Sequence, residues 1–144
     1  MESARKGSKI LLVDDEPDIA MAFKLALQDA GYIVDTYLDP LIALYKFKSS
    51  SYDLIILDIK MPKLNGFELY AEMRKVDNKV KVCFITAGEM FYDKFRNKKG
   101  EEGEQYCKLD TQRFLQKPIS NIELVRRINR IIIPKEYPDI LQKT

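Results

Sequence analysis

The chain has 144 residues, a formal net charge of +2 and 46% hydrophobic residues. These values fit one globular domain and argue against a disordered chain, a membrane protein or a dedicated nucleic-acid binder. Apolar runs stay well short of the roughly 20 residues that span a bilayer, so we expect no membrane contact. Histidine is absent, which excludes Ser-His and Cys-His catalytic pairs and His-ligated zinc. Two cysteines, Cys83 and Cys107, are too few for a disulfide framework and favour a cytoplasmic location.

Five short apolar runs are predicted β-strands. The third is typical, since Leu54–Leu57 is continuously apolar and then meets the carboxylate of Asp58. Such a run, bounded by polar residues, favours a strand buried on both faces under helices. In chain order the predicted strands β1 to β5 are Lys9–Val13, Tyr32–Tyr37, Leu54–Leu57, Lys79–Thr86 and Arg113–Gln116.

Amphipathic segments with apolar residues at helical spacing alternate with these strands. Their starts carry helix signals, such as Pro17 after a group of acids and a capping Ser120 or Asn121, and Gly31 is a helix stop. The predicted helices α1 to α5 lie between Pro17 and Gly31, Asp39 and Ser49, Phe67 and Met73, Glu89 and Arg96, and Ser120 and Pro134.

Strands that alternate with helices predict an α/β fold with a parallel sheet covered on both faces. We expect a doubly wound, five-stranded, flavodoxin-like sheet in the order 2-1-3-4-5. We expect an expanded connection from β4 to β5 over Gly88–Asp110. Within it, the run Lys98–Glu104 holds two glycines and dense charge, which disfavour one long helix. We expect a single stand-alone domain over residues 9–134, with tails at residues 1–8 and 135–144.

Four of the five predicted strands end in a chemically active group: Asp14-Asp15, Asp58, Thr86 and Lys117. Parallel strands bring these ends to one edge of the sheet, where open α/β sheets bind ligands. Crowded carboxylates without histidine or cysteine favour a hard cation, Mg²⁺ before other metals. A lysine and a hydroxyl beside that cation form a phosphate pocket, in which a carboxylate can become an aspartyl phosphate.

These residues resemble the response-regulator receiver domain of two-component signalling. The resemblance rests on four motifs and covers about residues 9–134. They are Leu12-Val13-Asp14-Asp15-Glu16, Leu57-Asp58-Ile59-Lys60-Met61-Pro62 with Gly66, Ile85-Thr86-Ala87 and Lys117-Pro118.

The resemblance implies that Asp58 is the phosphoacceptor. It also implies that Asp15, Asp58 and the backbone carbonyl of Lys60 ligate Mg²⁺, with Asp14 acting through water. Thr86 and Lys117 would bind the phosphoryl group, and the Lys117–Pro118 peptide bond would be cis.

The family resemblance further implies a switch that couples Thr86 to an aromatic residue in β5, here Phe114. Phosphorylation would then alter the α4-β5-α5 surface, which signals to a downstream protein and is a candidate surface for a homodimer. The donor would be a histidine kinase or a histidine phosphotransfer protein. The chain would promote only its own phosphorylation and dephosphorylation and would not be an enzyme in the ordinary sense.

Two alternatives to this function remain open. One is a Mg²⁺-dependent aspartyl phosphatase of the haloacid dehalogenase type, which has a second Asp two residues after its nucleophile. Lys60 occupies that place after Asp58, and Glu16 occupies it after Asp14, which counts against this class. The other is a receiver-like interaction module that does not depend on phosphorylation, against which the complete set of site residues argues.

Overall fold

A computed structural model of the chain describes residues 7–87 and 113–133. Within them, five strands form one parallel sheet in the order β2-β1-β3-β4-β5, which confirms the predicted flavodoxin-like fold. The strands are Lys9–Val13, Ile33–Tyr37, Leu54–Asp58, Lys81–Thr86 and Phe114–Gln116. The helices are α1 (Pro17–Asp29), α2 (Pro40–Lys46), α3 (Gly66–Val76) and α5 (Asn121–Ile132).

Helices cover both faces of the sheet, and the core therefore has two layers. Alternate residues of β1 show the division, since Ile10 and Leu12 belong to one layer while Leu11 and Val13 belong to the other. The first layer includes apolar side chains of α1 and α5, and the second includes those of α2 and α3. Burial on both faces explains why the central strands read as continuous apolar runs rather than alternating ones.

Side-chain caps set the starts of the helices. Asp39 accepts a hydrogen bond from the backbone N–H of Leu41 at α2, and Ser120 accepts one from Glu123 at α5. At α1 the signal is different, because Pro17 lies in the first turn. Asp39 and Ser120 each accept a hydrogen bond from a backbone N–H that has no partner within the helix, and Pro17 has no backbone N–H to satisfy.

The start of β4 differs from the prediction, since the strand begins at Lys81 rather than Lys79. Asp77 causes this difference, because its carboxylate accepts hydrogen bonds from the backbone N–H groups of Lys79 and Ser50. Such an Asp favours a turn over a strand.

The predicted helix α4 and the rest of Gly88–Asp110 lie outside the described residues. In the part of the chain that is described, no helix has the length and apolar character needed to cross a membrane.

Candidate functional site

The sheet register brings the predicted site residues to one edge. Val13 pairs with Leu57, and Asp58 pairs with Ile85, so the ends of β1, β3 and β4 are aligned. Thr86 pairs with Gln116, the last residue of β5. Asp14, Asp58, Thr86 and Lys117 therefore lie at or directly after the carboxyl ends of neighbouring strands, as the sequence predicted.

Lys117, directly after the outer strand β5, is the cation that contacts the carboxylates of this edge. Its Nζ lies 2.9 Å from Asp14 Oδ2, 3.0 Å from Glu16 Oε1 and 3.8 Å from Asp58 Oδ1, and its side chain is only 9% exposed. Burial acts to lower the pKa of the ammonium, but hydrogen bonds to Asp14 and Glu16 outweigh burial, and the pKa lies above its usual value. Lys117 therefore stays charged at neutral pH.

Asp58 is 3% exposed, and its Oδ1 has no hydrogen-bond partner among the described residues. Burial is the main reason that the pKa of Asp58 is raised to about 7. The negative charge of Asp14 raises this pKa further and that of Asp15 adds to it, while the positive charge of Lys117 opposes them. An unpaired, buried carboxylate oxygen is costly. Binding of a cation or hydrogen-bond donor from outside the described residues would therefore be favourable at Asp58.

The carboxylates at this edge fit a hard divalent cation. One oxygen from each of Asp14, Glu16 and Asp58 lies within 4.8 Å of the others. A cavity of about 460 Å³ opens at this edge. Asp15 and Lys60 line it, and Asp58 and Lys117 also lie in its wall. Two buried oxygens of this group, Asp14 Oδ2 and Asp58 Oδ1, have no hydrogen-bond partner among the described residues, and carboxylate oxygens are the ligands that Mg²⁺ prefers. The ligand set predicted from the sequence (Asp15, Asp58 and the Lys60 carbonyl, with Asp14 through water) stays a prediction.

Glu16 is the residue for which the sequence predicted no role at the site. It lies at the N-terminal boundary of α1 and contacts Lys117, which is 101 positions away in the chain. Its position directly after two site aspartates was the available signal, but that position alone did not indicate which cation it contacts.

Thr86 and Phe114, the predicted switch pair, lie on adjacent strands. Thr86 is buried, and its backbone oxygen accepts a hydrogen bond from Lys117 N at 2.8 Å. The ring of Phe114 stacks on Phe84, with centroids 5.4 Å apart. The Lys117–Pro118 peptide bond is cis, as predicted.

Gly66, the first residue of α3, packs against the backbone of Asp58 and Ile59. Its N–H donates to the carbonyl of Ile59 at 2.8 Å, and a Cβ here would lie 2.6 Å from the backbone oxygen of Asp58. Asn65 and Glu68 form a capping box that fixes the start of α3 at this point. Only glycine fits this contact without moving the backbone of the candidate phosphoacceptor.

We expect Gly66→Ala to lower the free energy of unfolding by about 1–3 kcal/mol, because the added methyl group overpacks a rigid backbone contact. Denaturant unfolding measures the change. Lys75→Ala, an exposed change in the same helix, is the control and should alter stability by less than about 0.5 kcal/mol. Equal stability of the two variants would show that the loop relaxes freely around residue 66.

Known proteins with this sequence pattern are numerous. The family model of the response regulator receiver domain matches residues 10–129. The CpxR homolog of Haemophilus influenzae, a transcriptional regulatory protein, is 37% identical over 127 residues, which are 87% of this chain and 50% of that protein. The response regulator ArlR of Staphylococcus aureus is 34% identical over 134 residues, 93% of this chain and 57% of that protein. The chain thus spans about half the length of the curated relatives it matches.

Solved receiver domains have the same fold. The non-phosphorylated HemR receiver domain from Leptospira biflexa superposes with a TM-score of 0.71 at 26% identity, covering 88% of this chain and 95% of that one. The response regulator TrrA of Thermotoga maritima, solved in complex with Mg²⁺ and BeF, gives a TM-score of 0.66 at 32% identity, covering 86% and 98%. Because the family model matches most of its length and the fold agrees, this chain belongs to the response regulator receiver domain family.

Proposed function

We propose that Asp58 accepts a phosphoryl group from a phosphohistidine donor and that this modification switches a protein-binding surface. One observation carries the proposal: the buried, unpaired Oδ1 of Asp58 lies 3.8 Å from the Lys117 ammonium in the wall of an open cavity. A nucleophilic oxygen that has no hydrogen-bond partner among the described residues and a cation beside it form the arrangement that phosphoryl transfer needs. Phosphorylation and Mg²⁺ are typical of the family.

In the transfer step, a carboxylate oxygen of Asp58 attacks the phosphorus in line with the P–N bond of the phosphohistidine. A P–O bond forms and the P–N bond breaks, and the imidazole nitrogen of the donor leaves with the electron pair. Lys117 and the Thr86 hydroxyl bind the oxygens of the phosphoryl group, on which negative charge develops. A Mg²⁺ ion, held by Asp15, Asp58 and the Lys60 carbonyl, with Asp14 through water, would neutralise part of that charge.

Hydrolysis returns the protein to its resting state. Water attacks the phosphorus of the acyl phosphate, the P–O bond to Asp58 breaks, and the products are inorganic phosphate and the free carboxylate. The chain thus promotes only the phosphorylation and dephosphorylation of its own Asp58.

The partners follow from this chemistry. The donor is a histidine kinase or a histidine phosphotransfer protein, and the protein acts in the cytoplasm, where such donors carry their phosphoryl groups. The bound phosphoryl group draws Thr86 inward and shifts Phe114, which alters the α4-β5-α5 surface. That surface contacts a downstream protein or a second copy of this chain. The unit that performs these steps spans residues 9–134.

The proposal is tested by incubation with acetyl phosphate and Mg²⁺ followed by mass spectrometry of the intact protein and of its peptides. We expect one added phosphoryl group, located on Asp58, and no addition to Asp58→Asn. Asp53→Asn is the matched control, since Asp53 is an exposed residue just before the opposite end of the same strand, and this variant should be labelled like the wild type. Equal labelling of wild type and Asp58→Asn would refute the assignment.

A further inference from the structure

Lys117 lies beside Asp58, but two other carboxylates lie closer to its ammonium. A lysine ammonium has three N–H donors, and the carboxylates of Asp14 and Glu16 lie within hydrogen-bonding distance of the ammonium at 2.9 and 3.0 Å. The distance to Asp58, 3.8 Å, exceeds the length of a hydrogen bond. For Lys117 to bind the phosphoryl oxygens with more than its remaining N–H, one of the two carboxylates must release it.

The two carboxylates that hold Lys117 differ in their freedom to move. Asp14 is completely buried, and its Oδ1 accepts a hydrogen bond from the backbone N–H of Glu16 at 2.9 Å, which fixes the carboxylate in place. The side chain of Glu16 is 57% exposed, and although Glu16 stands at the helix cap, its side chain makes no capping hydrogen bond. Of the two contacts, the one with Glu16 is therefore the less constrained.

We propose that Glu16 is a positioning residue, which holds the Lys117 ammonium away from Asp58 in the resting state and thereby slows phosphorylation. The inference rests on the proposed function, because it concerns the same site and the same reaction. Glu16 does not touch the reacting atoms, and it acts only through the availability of Lys117. The resting protein then responds weakly to small phosphodonors until a partner, or thermal motion of Glu16, frees the lysine.

The size of the effect follows from the exposure of the pair. An ion pair with one exposed partner contributes little, so breaking it changes a rate constant by about two- to fivefold. The side chain of Glu16 has no part in the cap of α1, and its replacement should leave the fold intact.

The test compares rate constants for phosphorylation by acetyl phosphate at saturating Mg²⁺ in wild type, Glu16→Gln and Glu16→Ala. Both substitutions remove the same charge, but only glutamine retains a side-chain oxygen that can accept from Lys117. We expect the rate constant to rise about two- to fivefold in Glu16→Ala, with Glu16→Gln between it and the wild type. Asp18→Asn, which removes an exposed charge from the first turn of α1, is the control and should match the wild type.

Four results would overturn the inference. Equal acceleration in Glu16→Gln and Glu16→Ala would mean that the charge of Glu16 merely repels the anionic donor, whereas wild-type rates in both would mean that Glu16 does not restrain Lys117. The same acceleration in Asp18→Asn would again indicate simple charge repulsion. A slower reaction in Glu16→Ala would mean that Glu16 assists the reaction, for example as a cation ligand. Failure of the proposed function looks different, because the wild type itself would then gain no phosphoryl group on Asp58.

Discussion

We expect Lys117→Ala to slow the phosphorylation of Asp58 by about 100-fold, the cost typical of losing one preorganised charge-stabilising group in an active site. Lys117 is the single cation with ion pairs to both Asp14 and Asp58 in the described part of the chain. Without it, the carboxylates of the site repel the incoming phosphoryl group, and no other cation in the described part of the chain pairs with Asp58 to stabilise the charge that develops on the phosphoryl oxygens. The rate constant is measured with acetyl phosphate at saturating Mg²⁺.

Loss of Lys117 also removes the counterion of a fully buried Asp14, and breaking such a pair costs on the order of a few kcal/mol of stability. Circular dichroism at the assay temperature therefore accompanies the kinetics, and the rate is compared only where the variant is folded. Lys117→Arg is the matched control, because it keeps the charge but replaces a compact ammonium with a planar fork. A folded Lys117→Ala variant with the wild-type rate would assign Lys117 a purely structural role.

Much of the fold could be predicted from the local sequence. Helices bury both faces of a parallel sheet, so each buried strand appears in the sequence as a short apolar run between amphipathic segments. The run Leu54–Leu57 is buried throughout, and its continuous apolar character is the direct result of helices on both faces. Prediction was less exact at strand ends, where a single side chain decides. The carboxylate of Asp77, which caps backbone N–H groups in two different loops, shortened β4 in a way that hydrophobic periodicity does not register.

The candidate site was predictable to the level of the sheet edge but not to the level of individual contacts. The topology alone places Asp58 and Lys117 at the same edge, since both follow parallel strands. Which of the neighbouring carboxylates the Lys117 ammonium contacts depends on the rotamers of long side chains, and the strand pattern does not specify these rotamers. For this reason the contact of Lys117 with Glu16 at 3.0 Å became visible only in the structure.

In the absence of divalent cations, we expect Asp58→Asn to stabilise the protein more at pH 8 than at pH 4. The difference in the free energy of unfolding gained should be on the order of 2–4 kcal/mol. The folded-state pKa of Asp58, about 7, lies above the ordinary value of 3.8, so between these pH values the folded protein binds a proton that the unfolded chain has released. Stability of the wild type therefore falls as the pH rises through this range. Asparagine has no proton to lose, so this cost is absent from the variant.

Denaturant unfolding of wild type and Asp58→Asn in EDTA, at pH 4 and pH 8, measures the difference. Asp29→Asn, a change at an exposed residue of α1, is the control and should shift stability by less than about 0.5 kcal/mol at both pH values. An advantage of Asp58→Asn that did not change with pH would show that Asp58 is not strained by its charge. Mg²⁺ at pH 8 should reduce the advantage, because a cation that binds the ionised carboxylate stabilises the wild type alone. Burial thus makes the ionised form of Asp58 costly in the folded protein. A ligand that compensates the negative charge recovers this free energy, so the same burial makes Asp58 respond strongly to ligand binding.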